Sequence, residues 1–101
     1  MLPIKESQIL INTSANDPEE AIRKAGELLV KTNSVTVNYV DAMIDNYYKL
    51  GPYIVIAPHI AIPHARPEDG VNEQCISFLR LIKPIKFGHP QNDDVLLVMP
   101  I

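Results

Sequence analysis

An α/β fold built on a mixed sheet is predicted by three observations. Two stretches of helical periodicity come early in the chain, over residues 17–31 and 36–50. Short, continuous apolar runs follow at residues 53–57, 74–81 and 94–99, the length and composition of buried strands. Helices precede strands without the regular alternation of a parallel βαβ array, so the sheet is expected to mix strand directions. At 101 residues the chain fits one small domain.

The elements can be justified in order. Ile9, Leu10 and Ile11 form a short strand candidate near the start. Asp17 is a capping residue, Pro18 suits the first helical position, and Glu20 stands where a capping box needs an acid. Ala21, Ile22, Ala25, Leu28 and Leu29 then give that helix an apolar face, and Asn33 and Ser34 break it. A second helix begins near Thr36, with Val40, Met43, Ile44 and Tyr47 on one face and Asp41 and Asp45 on the other. Gly51 and Pro52 stop it. Residues 83–88 read as an edge strand or turn, because Pro84 cannot donate to a ladder, with Lys83 and Lys86 as solvated charges that discourage strand addition. The chain stops at Ile101, just after an apolar strand; a fragment, or a domain lacking a C-terminal helix, is expected on that ground.

Composition narrows the function. Hydrophobic residues make up 47% and charged residues 21%, values that favour a folded core over disorder. The net charge of −3 supplies no basic field for nucleic acid and suits a basic protein partner. Met1 to Glu6 lack the apolar core of a signal peptide, and no run of about 18 apolar residues exists, so a soluble cytoplasmic protein is expected. Cys75, the single cysteine, can form no internal disulfide and reads as a small buried hydrophobe.

Chemistry concentrates in residues 57–70, where Pro58, His59, Pro63, His64, Arg66, Pro67, Glu68, Asp69 and Gly70 follow a strand. The prolines make this a stiff, non-helical loop, which pre-aims a nucleophile. His64 lies between Pro63 and the small Ala65, so its ring is uncrowded. A neutral imidazole is a competent nucleophile near pH 7 and can form a phosphoramidate. Arg66 offers donors to phosphoryl oxygens. Taken alone, a histidine beside a proline is more often structural.

The longer stretch from Leu50 to Glu68 resembles the active-site segment of the fructose/mannitol-type IIA domains of the bacterial phosphoenolpyruvate-dependent sugar phosphotransferase system. The shared core is apolar-Ala-apolar-Pro-His-small, here Ile60 to Ala65. The Gly51-Pro52-Tyr53 opening and the Ala65-Arg66-Pro67-Glu68 continuation are most similar to the ascorbate-type branch. The resemblance runs from Asp17 to Met99. It implies a mixed sheet flanked by helices on both sides, and no metal or organic cofactor. It implies that His64 accepts a phosphoryl group from the phosphocarrier protein HPr and passes it to a cysteine of a IIB domain or protein. The membrane IIC component is met only indirectly. It also implies a second histidine and a closing helix beyond the point where this chain stops. Lys49 stands near the place where some members carry an arginine.

His59 is a second phosphate-contacting candidate or a solvated loop residue, and His89 reads as a solvated turn residue. His59, His64 and His89 with Asp93 or Asp94 match no compact metal motif. Glu68 and Asp69 read as an ordinary turn. Two alternatives to the carrier remain: a phosphorylation-sensing regulatory module, and an inactive fragment.

Overall fold

The computed structural model describes residues 6–101. The stretch Met1 to Lys5, part of the segment read as lacking a signal-peptide core, lies outside them. Among the described residues there are two α-helices and five strands: β1 (Ile9–Thr13), α1 (Pro18–Lys31), α2 (Val37–Leu50), β2 (Val55–Ala57), β3 (Ile60–Ala61), β4 (Phe78–Ile85) and β5 (Val95–Val98). The strands form one sheet in the order β1-β4-β5-β3-β2. β1 runs parallel to β4 and β3 parallel to β5, whereas β4 with β5 and β2 with β3 are antiparallel. The expected mixed sheet is therefore present.

α1 begins as its sequence requires. The Asp17 carboxylate accepts the Glu20 amide at 2.8 Å, and Pro18 occupies the first turn. Only this half of the capping box forms, because the Glu20 carboxylate takes the Asn16 side-chain amide and the Lys24 ammonium. α2 starts after Thr36 and ends at Gly51, whose φ of 84° is the left-handed backbone that glycine tolerates best.

Register defines two faces of the sheet. Leu79 pairs with Val98, Val98 with Ala61, and Ala61 with Val55; all four are buried. With Leu81 and Val95 they join Ala21, Ile22, Leu29, Val40, Met43 and Ile44 of the helices in one cluster. Both helices therefore share this core, and α1 also meets β4 and β5 directly. The alternate positions Ile11, Ile56 and Ile82 are 58%, 58% and 60% exposed. Among the described residues no helix covers that second face, so the expected flanking on both sides is seen on one side only.

Three strand assignments differ from expectation. Residues 52–54 form a 3₁₀ turn, and the remaining β2 lies at the sheet edge, not buried within it. Local turn geometry at Gly51-Pro52 overrides the β-branched run. Residues 74–77 precede β4 instead of opening it, while β4 continues through Pro84 to Ile85. β4 is a central strand, and Pro84 is tolerated because the β4–β5 register is irregular between Arg80 and Ile85. β3 lies inside the segment read as a loop; at two residues it is too short to show a period.

The helices approach closely at Gly26. A Cβ there would stand 2.8 Å from Val40 Cγ2 and 3.2 Å from Met43 Cε. Gly26→Ala should therefore destabilise the domain even though alanine is the better helix former. Overpacking of about 1–3 kcal/mol outweighs a propensity gain of at most about 1 kcal/mol. Urea unfolding should show a lower midpoint with an unchanged slope.

Candidate active site

Hydrogen bonds on both sides deliver His64 to the surface. Leading up to it, the Ile62 amide donates to the Ile54 carbonyl at 2.8 Å, and the Met99 amide to the Ala61 carbonyl at 2.9 Å. The Ile101 amide then donates to the Pro63 carbonyl at 3.3 Å, so the extended path of β3 continues beside β5 up to the histidine. Pro63 is fully buried and His64 half-buried. The expected stiff segment is thus stiffened by sheet pairing as well as by its prolines.

The imidazole is held at one nitrogen. His64 Nδ1 lies 2.9 Å from the Ile62 carbonyl oxygen. A carbonyl can only accept, so Nδ1 carries the proton and, in the neutral ring, Nε2 keeps the lone pair, an assignment that follows from the hydrogen-bond partner. The edge-to-face contact with the Tyr53 ring, 5.4 Å between centroids at 83°, supports the ring from the side. A recess of about 350 Å³ opens beside the histidine, lined by Tyr39, Ala65, Pro67, Val71 and Cys75 among others.

The segment after His64 is tied to the start of α2. The Ala65 amide donates to the Tyr39 hydroxyl at 3.1 Å, and the Thr36 amide to the Gly70 carbonyl at 2.8 Å. Gly70 has φ 135°, and a Cβ on it would stand 2.0 Å from Thr36 Oγ1, so no larger residue fits there. Between these anchors Pro67–Asp69 make one 3₁₀ turn, which the Asp69 carboxylate closes by accepting the Arg66 amide at 3.1 Å. Glu68 and Asp69 are thus turn residues, as read from sequence.

Arg66 is exposed, its Nε 3.8 Å from Asp69 and 4.0 Å from Glu68. Such surface pairs contribute at most about 1 kcal/mol, so the guanidinium exchanges partners readily. Arg66 borders a groove of about 450 Å³ that Lys49 and Asn46 also line, so the fold gathers two cations near the histidine segment.

His59 is not brought to His64. It sits at the tip of the β2–β3 hairpin with φ 71°, and its Nδ1 contacts the Asp94 carbonyl at 2.9 Å. An extended strand rises about 3.3 Å per residue, which puts the two histidines on the order of 16 Å apart. His89 is half-buried, not freely solvated: its Nδ1 accepts the amides of Gln91 and Asn92 at 3.1 and 3.0 Å. Among the described residues no three His, Cys, Asp or Glu side chains gather as a metal site.

Sequence reasoning missed Tyr39 and Tyr53. Tyr39 shares a helix face with Val40 and Met43, and a tyrosine on a core face needs a partner for its hydroxyl; that was the available signal. Burial pushes the Tyr39 phenol up from its ordinary value, partly offset by the Ala65 amide. Burial, then Glu73, raises the Cys75 thiol, and Cys75 is buried as expected.

Comparison with known proteins places this geometry in a family. The phosphoenolpyruvate-dependent sugar phosphotransferase system EIIA 2 family matches residues 3–101. The chain is 39% identical over 97 residues to the ascorbate-specific PTS system EIIA component of Salmonella choleraesuis, covering 94% of this chain and 63% of that protein. The crystal structure of IIA mannitol from Escherichia coli superposes with a TM-score of 0.87 at 35% identity, covering 99% of this chain and 71% of that one. The Escherichia coli complex of IIA mannitol with phosphorylated IIB mannitol gives a TM-score of 0.86, also at 35% identity, over 98% of this chain and 69% of that one. The chain belongs to the EIIA 2 family of the sugar phosphotransferase system, and the ascorbate-type likeness read from residues 50–68 agrees with its curated relatives. It spans a little under two thirds of the length of those relatives.

Two measurements test the site. Long-range ¹⁵N–¹H correlation spectra at alkaline pH should show His64 as the Nδ1–H tautomer and His89 as the Nε2–H tautomer. Iodoacetamide should modify Cys75 at least about ten-fold more slowly in the native protein than in urea, since the thiolate is the reactive form and burial disfavours it.

Proposed function

We propose that this domain is a phosphoryl carrier of the phosphoenolpyruvate-dependent sugar phosphotransferase system, with Nε2 of His64 as the covalent acceptor. The observation that carries this reading is the Nδ1–Ile62 carbonyl bond on a half-buried ring, which makes Nε2 the lone-pair nitrogen of the neutral imidazole. The family assignment supplies the chemistry.

In the forward step, the Nε2 lone pair attacks phosphorus in line, and the bond from phosphorus to the donor nitrogen of HPr breaks. The donor imidazole takes back that electron pair. In the second step a cysteine thiolate of a IIB partner attacks the same phosphorus, and the Nε2–P bond breaks. His64 returns to its starting tautomer, because the proton stays on Nδ1, hydrogen-bonded to the Ile62 carbonyl, throughout. The protein thus supplies aim and charge neutralisation. Arg66, already loosely paired, swings from Glu68 and Asp69 to the phosphoryl oxygens, and Lys49 adds a second positive charge to the same side. His59 lies at the hairpin tip, across β3 from His64 and out of reach of a group on Nε2 in this conformation. The IIB partner is supported by the complex of the mannitol relative with its phosphorylated IIB. HPr as donor, the indirect link to a membrane IIC and a cytoplasmic location rest on the resemblance. Among the described residues no helix is long and apolar enough to cross a membrane.

Incubation with phosphoenolpyruvate, enzyme I and HPr should label the chain with acid-labile, base-stable phosphate. His64→Gln should abolish the label, and a IIB protein should discharge it from the unsubstituted chain. Label persisting in His64→Gln would overturn the assignment. Arg66→Ala should slow labelling by about ten- to hundred-fold without removing it, the scale of one lost charge-assisted contact of about 1.5–3 kcal/mol.

A further inference from the structure

We propose that Tyr39 is a positioning residue for the transfer step: its hydroxyl holds the backbone around His64 so that the ring keeps its Nδ1–H turned inward and Nε2 outward. This rests on the acceptor reading of His64 given above.

The geometry is a clamp built on one oxygen. The Tyr39 ring is 2% exposed, so its position is fixed by packing. Its hydroxyl accepts the Ala65 amide at 3.1 Å and donates to the Ile101 main-chain oxygen at 2.6 Å, with the Ala65 carbonyl farther off at 3.3 Å. The Ile101 amide in turn donates to the Pro63 carbonyl. The residues on both sides of His64 are therefore tied, directly or through Ile101, to the same phenol. The Nδ1–Ile62 bond requires the ring to fold back over the preceding backbone. Releasing the Ala65 amide would free the backbone torsion that sets that direction.

The post itself is rigid. The Tyr39 amide donates to the Thr36 carbonyl at 3.1 Å, and the Thr36 amide to Gly70 at the far end of the same segment. A phenylalanine would fill the core equally well. The hydroxyl is costly to bury unless bonded, and the groups it bonds border the nucleophile. Precise aim is where a small displacement costs most in transfer chemistry.

Tyr39→Phe removes the hydroxyl and keeps the ring. In this variant the ¹⁵N spectra should show a substantial Nε2–H population at His64, and phosphoryl transfer from HPr should slow by about ten- to hundred-fold well below the melting temperature. Tyr47→Phe is the matched control, since the Tyr47 hydroxyl donates to the Phe87 carbonyl away from His64. It should lower the melting temperature and leave tautomer and transfer rate unchanged. If Tyr39→Phe keeps the original tautomer, or if both variants slow transfer equally, the proposal is wrong. Should Tyr39→Phe not fold, 3-fluorotyrosine at position 39 carries the same readouts, because fluorine weakens the oxygen as an acceptor without changing its place. The tautomer comparison needs no phosphoryl donor: an unlabelled parent chain would sink the acceptor reading, while the spectra would still decide the role of Tyr39.

Discussion

A proton held between His64 Nδ1 and the Ile62 carbonyl, 2.9 Å apart, is the constraint on which the site depends. It makes one of two chemically similar ring nitrogens nucleophilic and fixes the direction in which it points. The carbonyl can do this only because its own residue is immobilised: the Ile62 amide is bonded to Ile54, and the neighbours Ala61 and Pro63 are bonded to Met99 and Ile101, just after β5. The sheet and the histidine tautomer are successive consequences of one register.

The histidine end and the hairpin end of β3 divide the work. At the histidine end, side chains are left loosely paired: Arg66 is exposed beside two carboxylates, and a largely apolar recess stands open. At the hairpin end, polar groups are consumed by structure. Asp93 accepts the Phe87 and Gly88 amides at 2.9 and 2.7 Å, Asn92 donates to the Val55 carbonyl, and the His59 amide donates to the Asn92 carbonyl. Two histidines close in sequence therefore have opposite surroundings, one beside loosely paired groups and an open recess, the other fastening a turn.

Much of this was legible in the sequence. The Asp17-Pro18 start, the apolar faces of both helices and the Gly51 stop have local causes and were read correctly. The Pro63-His64-Ala65 signal was also local, and the long match around it raised a weak pattern to a family assignment. What was not legible depended on distant partners. β3 exists because β5 offers it a parallel edge, and two residues carry no period of their own. Pro84 sits inside a central strand because the β4–β5 pairing is irregular there, a fact no window around Pro84 contains. Tyr39 was hidden by its success as a core residue: the ring satisfies the helix pattern, and the hydroxyl's partners lie far along the chain.

The pairing pattern also has a consequence for biosynthesis. β1 waits for β4, and β3 waits for β5; among the paired strands only β2–β3 and β4–β5 are neighbours in sequence. Long-range parallel pairings are slow to close. The bonds that aim His64 come from Met99 and Ile101, residues that leave the ribosome well after the histidine does. A nascent chain therefore displays the Pro-His segment before the bonds that aim the proposed acceptor exist, and those bonds form only when β5 and the residues after it dock.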